Sequence, residues 1–365
     1  MRNWKAWLGL LLCVLLLSAA CVSGGGGNEN GGGGMATRRK KGPNEPVKIG
    51  FSMDTLKEER WQRDKQLVEQ HAKEVGAQLI VDVANGDDKL QINQAENELT
   101  QGVDVLIVAP HNGDVAASIV EAAHRQGVPV ISYDRLIRNA DVDLYVSHQV
   151  VKIGEMQAQY LLDHVNKKPA NFVIVGGSPT DNNALLLHQG QMNVLQPAIN
   201  RGDVKIVKDE YAREWQASAA QNIVENALTQ ANNQVDAVVA SNDGTARGAV
   251  SALEEQGLTG KVLVSGQDAD LASLQLIVQG KQTMTVYKPI QPLAYSAVDN
   301  ALKLARGETI NAPDHVNNGR IDVPAILQTP IAVDIHNIVS TIVKDGYQSL
   351  DKICQGVPPE KCPKQ

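Results

Sequence analysis

Aromatic residues are scarce in this chain. Two Phe, seven Tyr and four Trp stand among 365 residues, so each Trp position is informative. Cysteine is nearly absent, with four in all. Eight histidines exist, but none sits in a two-His metal spacing such as His-Glu-x-x-His. We therefore expect no metal and no cofactor. Basic charge is also short: 34 Lys and Arg against 41 Asp and Glu, a net charge of −7. That mild acidity argues against nucleic acid as a partner. The apolar run at the N-terminus, Trp7 to Ala20, holds about 14 residues. A spanning helix needs roughly 20, so an uncut anchor is the weaker reading of that run.

What is present begins at the same run. It follows Arg2 and Lys5 and closes on Leu17-Ser18-Ala19-Ala20 before Cys21. A basic start, an apolar middle and small residues before a cut read as a secretory signal over residues 1–20. The cysteine directly after the small residues resembles a bacterial lipoprotein lipobox. That resemblance implies cleavage before Cys21, a lipid on its sulfur and a chain tethered outside the cytoplasm.

Gly24–Gly27 and Gly31–Gly34 flank Asn-Glu-Asn. Such sequence buries too little apolar area to offset its backbone entropy, so residues 21–46 read as a flexible tether. Arg38 to Lys41 is its solvated end or, alternatively, a contact to anionic lipid headgroups. Loss of Arg2 and Lys5 with the signal leaves 32 basic residues against 41 acidic. Cys354 and Cys362 remain, flanking Pro358-Pro359 near the C-terminus. In an oxidising compartment they read as a disulfide pinning a tail over residues 351–365; two free thiols are the alternative.

From Val47 about 320 residues follow, which suits two domains. Apolar strands are expected at Val47–Met53, Ala77–Ala84, Val103–Ala109 and Pro129–Asp134, with amphipathic helical segments between them. The helices stop at Gly76, Gly102 and Gly127, each leading straight into a strand. Runs such as Val105-Leu106-Ile107-Val108 are apolar without alternation, as buried parallel strands are. After a helix near Val151–His164 the pattern restarts. Strands are expected at Asn171–Gly176, Val204–Asp209, Asp236–Ala240, Lys261–Gly266 and Thr283–Tyr287, with helix stops at Gly257 and Gly280. A helix over Pro292–Arg306 and an extended stretch at Ile331–Val333 follow. The fold class is α/β: two doubly wound parallel-sheet lobes.

Ligands of such sheets bind beyond the carboxyl ends of the strands. Those ends carry Arg60-Trp61, Asp134-Arg135, Asp181 and Asn183, Trp215, Asn242, Asp268 and Lys288. Trp4 and Trp7 leave with the signal, so Trp61 and Trp215 remain, one per lobe. Two rings across a cleft can sandwich a pyranose, while Arg forks, carboxylates and amides bind its hydroxyls. Each residue has a structural alternative. Either Trp can pack locally at a helix start, Asp181 and Asn242 can be helix N-caps, Asp134-Arg135 can be an ion pair, and Asp268 can be a turn residue.

Val47 to about Ile342 resembles the periplasmic-binding-protein-like sugar receptors of the ribose/xylose group. The residues that carry the likeness include Glu-Arg-Trp-Gln (59–62), Tyr-Asp-Arg (133–135), Gly-Gly-Ser-Pro-x-Asp-Asn-Asn-Ala (176–184), Val-Ala-Ser-Asn-Asp (239–243) and Ser-Gly-Gln-Asp-Ala-Asp (265–270). The resemblance implies that Arg60, Asp134, Arg135, Asp181, Asn183, Asn242, Asp268 and Lys288 hydrogen-bond a sugar, with Trp61 and Trp215 stacking on it. It also implies a three-crossover hinge near 148–152, 287–290 and 324–330. The lobes would then be 47–149 plus 289–325 and 150–288 plus 326–350. D-Xylose is the expected ligand, an ABC permease the expected partner, and a monomer the expected state. The rivals are another monosaccharide (ribose, glucose, arabinose or a signalling sugar), a hydrolase using Asp134 and Asp268, and a repressor of the same fold. A repressor would need a DNA-binding headpiece where the signal stands.

Overall fold

The computed structural model describes residues 40–364. The expected signal peptide, the lipidation site Cys21 and the tether up to residue 39 lie outside the described residues. No described helix is long and apolar enough to cross a membrane.

The first lobe is built on a seven-stranded sheet. Its strands are β1 (Lys48–Met53), β2 (Gln78–Val83), β3 (Val105–Ala109), β4 (Val130–Tyr133) and β5 (Leu144–His148), joined later in the chain by an edge hairpin. The second lobe holds β6 (Ala170–Gly176), β7 (Val204–Tyr211), β8 (Ala237–Ala240) and β9 (Leu263–Val264). Then come β10 (Thr285–Tyr287), the edge pair β11 (Asp314–Asn317) and β12 (Asp322–Gln328), and finally β13 (Ile331–Val333). The strand orders are β11-β12-β5-β4-β3-β1-β2 and β7-β6-β8-β9, with β10 and β13 paired antiparallel. In both lobes the chain reverses direction across the sheet between its first and third strands, the switch point where such folds place ligands.

The apolar runs are explained by burial on both faces. Val105, Ile107 and Ala109 pack with Trp61, Val68 and Val298 under helices Glu59–Glu74 and Ile290–Arg306. Leu106 and Val108 pack on the opposite face with Leu99, Ile119 and Val120. The same division recurs on β6: Phe172 and Ile174 face one core, Val173 and Val175 the other. The expected helix stops hold, and Gly102 and Gly280, at φ 80° and 78°, adopt the left-handed conformation that ends a helix cheaply only at glycine.

Several expectations change. Lys261–Gly266 forms only the two-residue strand Leu263–Val264. Beyond it, the amides of Thr283 and Met284 share the Val264 carbonyl, and residues 265–268 are not part of the strand. Strand β5 was not expected, because Ser147 and His148 break its apolar pattern. Ser147 is nonetheless buried, donating 2.6 Å to the Asp134 carbonyl. Strand β12 runs to Gln328 beside β5, so residues 326–328 sit in the first sheet, beyond the boundary at 325. Cys354 and Cys362 are joined as a disulfide with Cα atoms 5.7 Å apart.

Candidate functional site

A cavity lies between the carboxyl ends of the two sheets. All ten expected residues line it, together with Glu58 and Gln267.

Arg60 and Trp61 occupy the first turn of helix Glu59–Glu74. Arg60 is clamped by Asp64, one turn on, with Nε and Nη2 bonds of 3.0 and 3.1 Å. This leaves its Nη1 to donate 2.6 Å to Asp134. The Arg60 guanidinium also lies 4.2 Å from the Trp61 ring centroid, and that of Arg135 lies 5.1 Å away. Trp61 thus packs locally and lines the cavity at once.

Asp134 follows β4 in a left-handed conformation, φ 58°. Its carbonyl accepts from Tyr145, Ser147 and Asn183, which hold a conformation that costs a non-glycine residue energy. Asp134 and Arg135 do not pair with each other, unlike the ion-pair alternative. Arg135 bridges Asp181 at 2.9 Å and Asp54 at 2.7 Å, so it spans both lobes.

On the second lobe, both expected N-caps do two jobs. Asp181 accepts from the Asn183 amide, and Asn242 forms a capping box with Thr245, while both line the cavity. Trp215 sits in a short turn with φ 55°, preceded by Glu214 at φ 52°. Its ring presses on Gly177, where an added Cβ would stand 2.1 Å from the ring. Asp268, at φ 102°, pairs with Lys288 at 3.0 Å; Lys288 also lies 3.7 Å from Asp134.

The electrostatics follow from this interleaving. Burial opposes ionisation of Asp134, but Arg60 and then Lys288 overcome it and hold the carboxyl well below the usual range. Burial likewise opposes the charge on Arg60, which Asp134 and Asp64 keep firmly protonated. Burial pushes Asp181 up, with Arg135 countering. For Asp54, burial is outweighed by His111 and Arg135, which bring it to about 2. The result is a ring of alternating fixed acceptors and donors with two Trp rings beside it. Such a ring suits a neutral, hydroxyl-rich ligand, since each of its cations already faces a carboxylate. Among the described residues no group of three or more His, Cys, Asp or Glu is arranged to hold a metal ion.

Glu58 and Gln267 were not anticipated, although Gln267 adjoins Asp268 and Glu58 stands two residues before Arg60. The buried partners Asp54 and Asp64 were also legible in principle. Asp54 directly follows β1, and Asp64 stands at the i,i+4 position from Arg60.

Residues 49–309 match the family described as periplasmic binding protein domain. A D-xylose-binding periplasmic protein from Haemophilus influenzae is 49% identical over 310 residues, which is 85% of this chain and 93% of that protein. A D-xylose-binding periplasmic protein from Escherichia coli is 48% identical over 301 residues, 82% of this chain and 91% of that one. Among solved structures, a carbohydrate transporter solute-binding protein from Chloroflexus aurantiacus in complex with D-glucose superposes with a TM-score of 0.80. It is 32% identical, covering 85% of this chain and 98% of its own. Family, fold and relatives agree: this chain belongs to the periplasmic binding protein domain family, as a sugar-binding transport receptor and not an enzyme.

Proposed function

We propose that the chain binds D-xylose in the interlobe cavity and delivers it to the permease of an ABC importer. The observation that carries this is the convergence of ten strand-end side chains on one cavity. The names of the 49% and 48% identical relatives support xylose as the sugar. The lobes are the two sheets with their helices, hinged at the crossovers after β5, after β10 and between β12 and β13. In this reading the receptor works as a monomer. Cys21 carries a lipid, and the glycine tether lets the receptor reach its permease.

Calorimetry with D-xylose, ribose, glucose and arabinose tests the ligand. We expect the tightest binding with xylose. No heat with xylose beside firm binding of another sugar overturns the assignment. A second reading, a carrier for another monosaccharide, draws support from the D-glucose in the 32% identical neighbour. The anchor is tested separately: Cys21→Ser should release the protein from membranes, and unchanged membrane retention rejects the lipid.

A further inference from the structure

The family match ends at residue 309, yet the C-terminal segment from Tyr347 onward, which includes the disulfide-closed tail, touches Asp268 of the cavity lining. Asp268 is the reason the tail matters. It sits at φ 102° and is followed by Ala269 at φ 54°. Two successive non-glycine residues in that region persist only where their surroundings over-determine them. Strand β10 supplies part of the constraint: the Asp268 amide donates 2.9 Å to the Val286 carbonyl, and the Ala269 amide 3.3 Å to the Thr285 hydroxyl. A further constraint comes from 79 residues away, where the Tyr347 hydroxyl donates 3.2 Å to the Asp268 carbonyl.

Tyr347 is itself held from both lobes. It is buried, with its ring 4.9 Å from that of Tyr287 in the second lobe. On its other side the Arg63 guanidinium, from the first-lobe helix Glu59–Glu74, lies 4.4 Å from its ring centroid. The next residue, Gln348, donates 2.5 Å to Oε1 of Glu59 on that same helix. The other oxygen of Glu59 accepts from the Leu271 amide at 3.0 Å, just past Asp268. Glu59 therefore joins tail, first lobe and the Asp268 loop.

The tail is anchored beyond this contact. Ile353 and Val357 are buried with Leu274 and Ile277 of the second lobe, and Leu67 of the first packs on the same cluster. Lys361 donates to the Gln279 carbonyl at 3.0 Å, and the Cys354–Cys362 disulfide closes the segment between them.

We propose that Tyr347 and Gln348 are positioning residues of the ligand site: Tyr347 fixes the backbone that presents Asp268, and Gln348 ties this tail to the first lobe, with the disulfide holding the tail in place. The proposal rests on the reading of the cavity as a sugar site, but half of its test does not. Tyr347→Phe removes only the hydroxyl and keeps the ring between Tyr287 and Arg63.

In ligand-free protein, this variant should speed amide hydrogen exchange across residues 266–271, with circular dichroism and melting temperature near those of the parent. The double variant Cys354→Ser, Cys362→Ser should speed exchange across both 345–349 and 266–271. With D-xylose, Tyr347→Phe and Gln348→Ala should each weaken binding about threefold to tenfold, the equivalent of one lost hydrogen bond. The change should fall mainly on the dissociation rate. Unaltered exchange of residues 266–271 in Tyr347→Phe overturns the proposal whether or not any sugar binds. Faster exchange with an unchanged dissociation rate also overturns it, because the loop would then move without consequence for the ligand. A parent protein that binds no sugar, with exchange responding as expected, instead overturns the sugar reading alone.

Discussion

Single residues in this cleft are defined by what faces them. Trp215 is held in a left-handed turn against Gly177, at a conformational cost that a stacking role would explain. Trp215→Ala should weaken xylose binding by about 1–3 kcal/mol, from the aromatic area withdrawn. Calorimetry checks this, and unchanged affinity would place the ring outside the binding surface. Away from the cleft, Glu98 is wholly buried beneath β1, pushed up to about 9 by burial and then by Asp82. An acid whose folded pKa exceeds its unfolded value favours the folded state most below the unfolded pKa. Here the advantage is intact below pH 4.5 and drains away as pH rises toward 9. Glu98→Gln should therefore flatten the fall in stability between pH 5 and pH 9. Urea melts across that range test it, and an identical slope in both proteins would remove Glu98 as the cause.

At the scale of elements, helix starts deliver half of the ten expected residues. Arg60 and Trp61 begin one helix, Asp181 and Asn242 cap two others, and the polar cap side chains come to the strand ends because each helix starts there. Capping a helix and lining the cavity are therefore compatible at Asp181 and Asn242. Helices Val150–His164 and Asn182–Asn200 cross at two glycines without room for side chains. A Cβ on Gly154 would stand 2.1 Å from the Leu187 carbonyl oxygen, and one on Gly190 2.0 Å from that of Val151. Gly154→Val should cost at least about 1–3 kcal/mol of stability through overpacking. Chemical denaturation measures it, and a parental midpoint would mean that the helices part freely. Strand β5 escaped prediction because its polar residues are paid for by tertiary partners that no local pattern reveals.

Across the whole molecule, the two lobes are stitched by bonds that cross the cleft. Arg135 reaches Asp181, Asn183 reaches Asp134, and the Gly113 amide reaches the Thr180 carbonyl at 3.1 Å. A ligand that binds only the closed, folded form must stabilise it by mass action. D-Xylose at a hundred times its dissociation constant should add about 2.7 kcal/mol to the unfolding free energy. Calorimetric melts read this directly, and no rise in melting temperature at saturation would contradict binding to the native state. Arg135→Met should also destabilise the protein by about 3–5 kcal/mol, because it strands Asp181 and Asp54 without their shared cation.

The sequence alone determined the α/β class, the doubly wound architecture and ten of the residues that line the cavity. Buried parallel strands, glycine stops and strand-end polar residues are local signals, readable within a dozen positions. The pairing of those residues was decided by tertiary structure. Asp134 meets Arg60 and not Arg135, and Asp268 meets Lys288, because loops of unlike length bring distant strand ends to one point. For the same reason Glu58 and Gln267 joined the cavity lining, and Tyr347 met Asp268, only in three dimensions. Their places depend on where the chain returns, and periodicity along the chain carries no record of that.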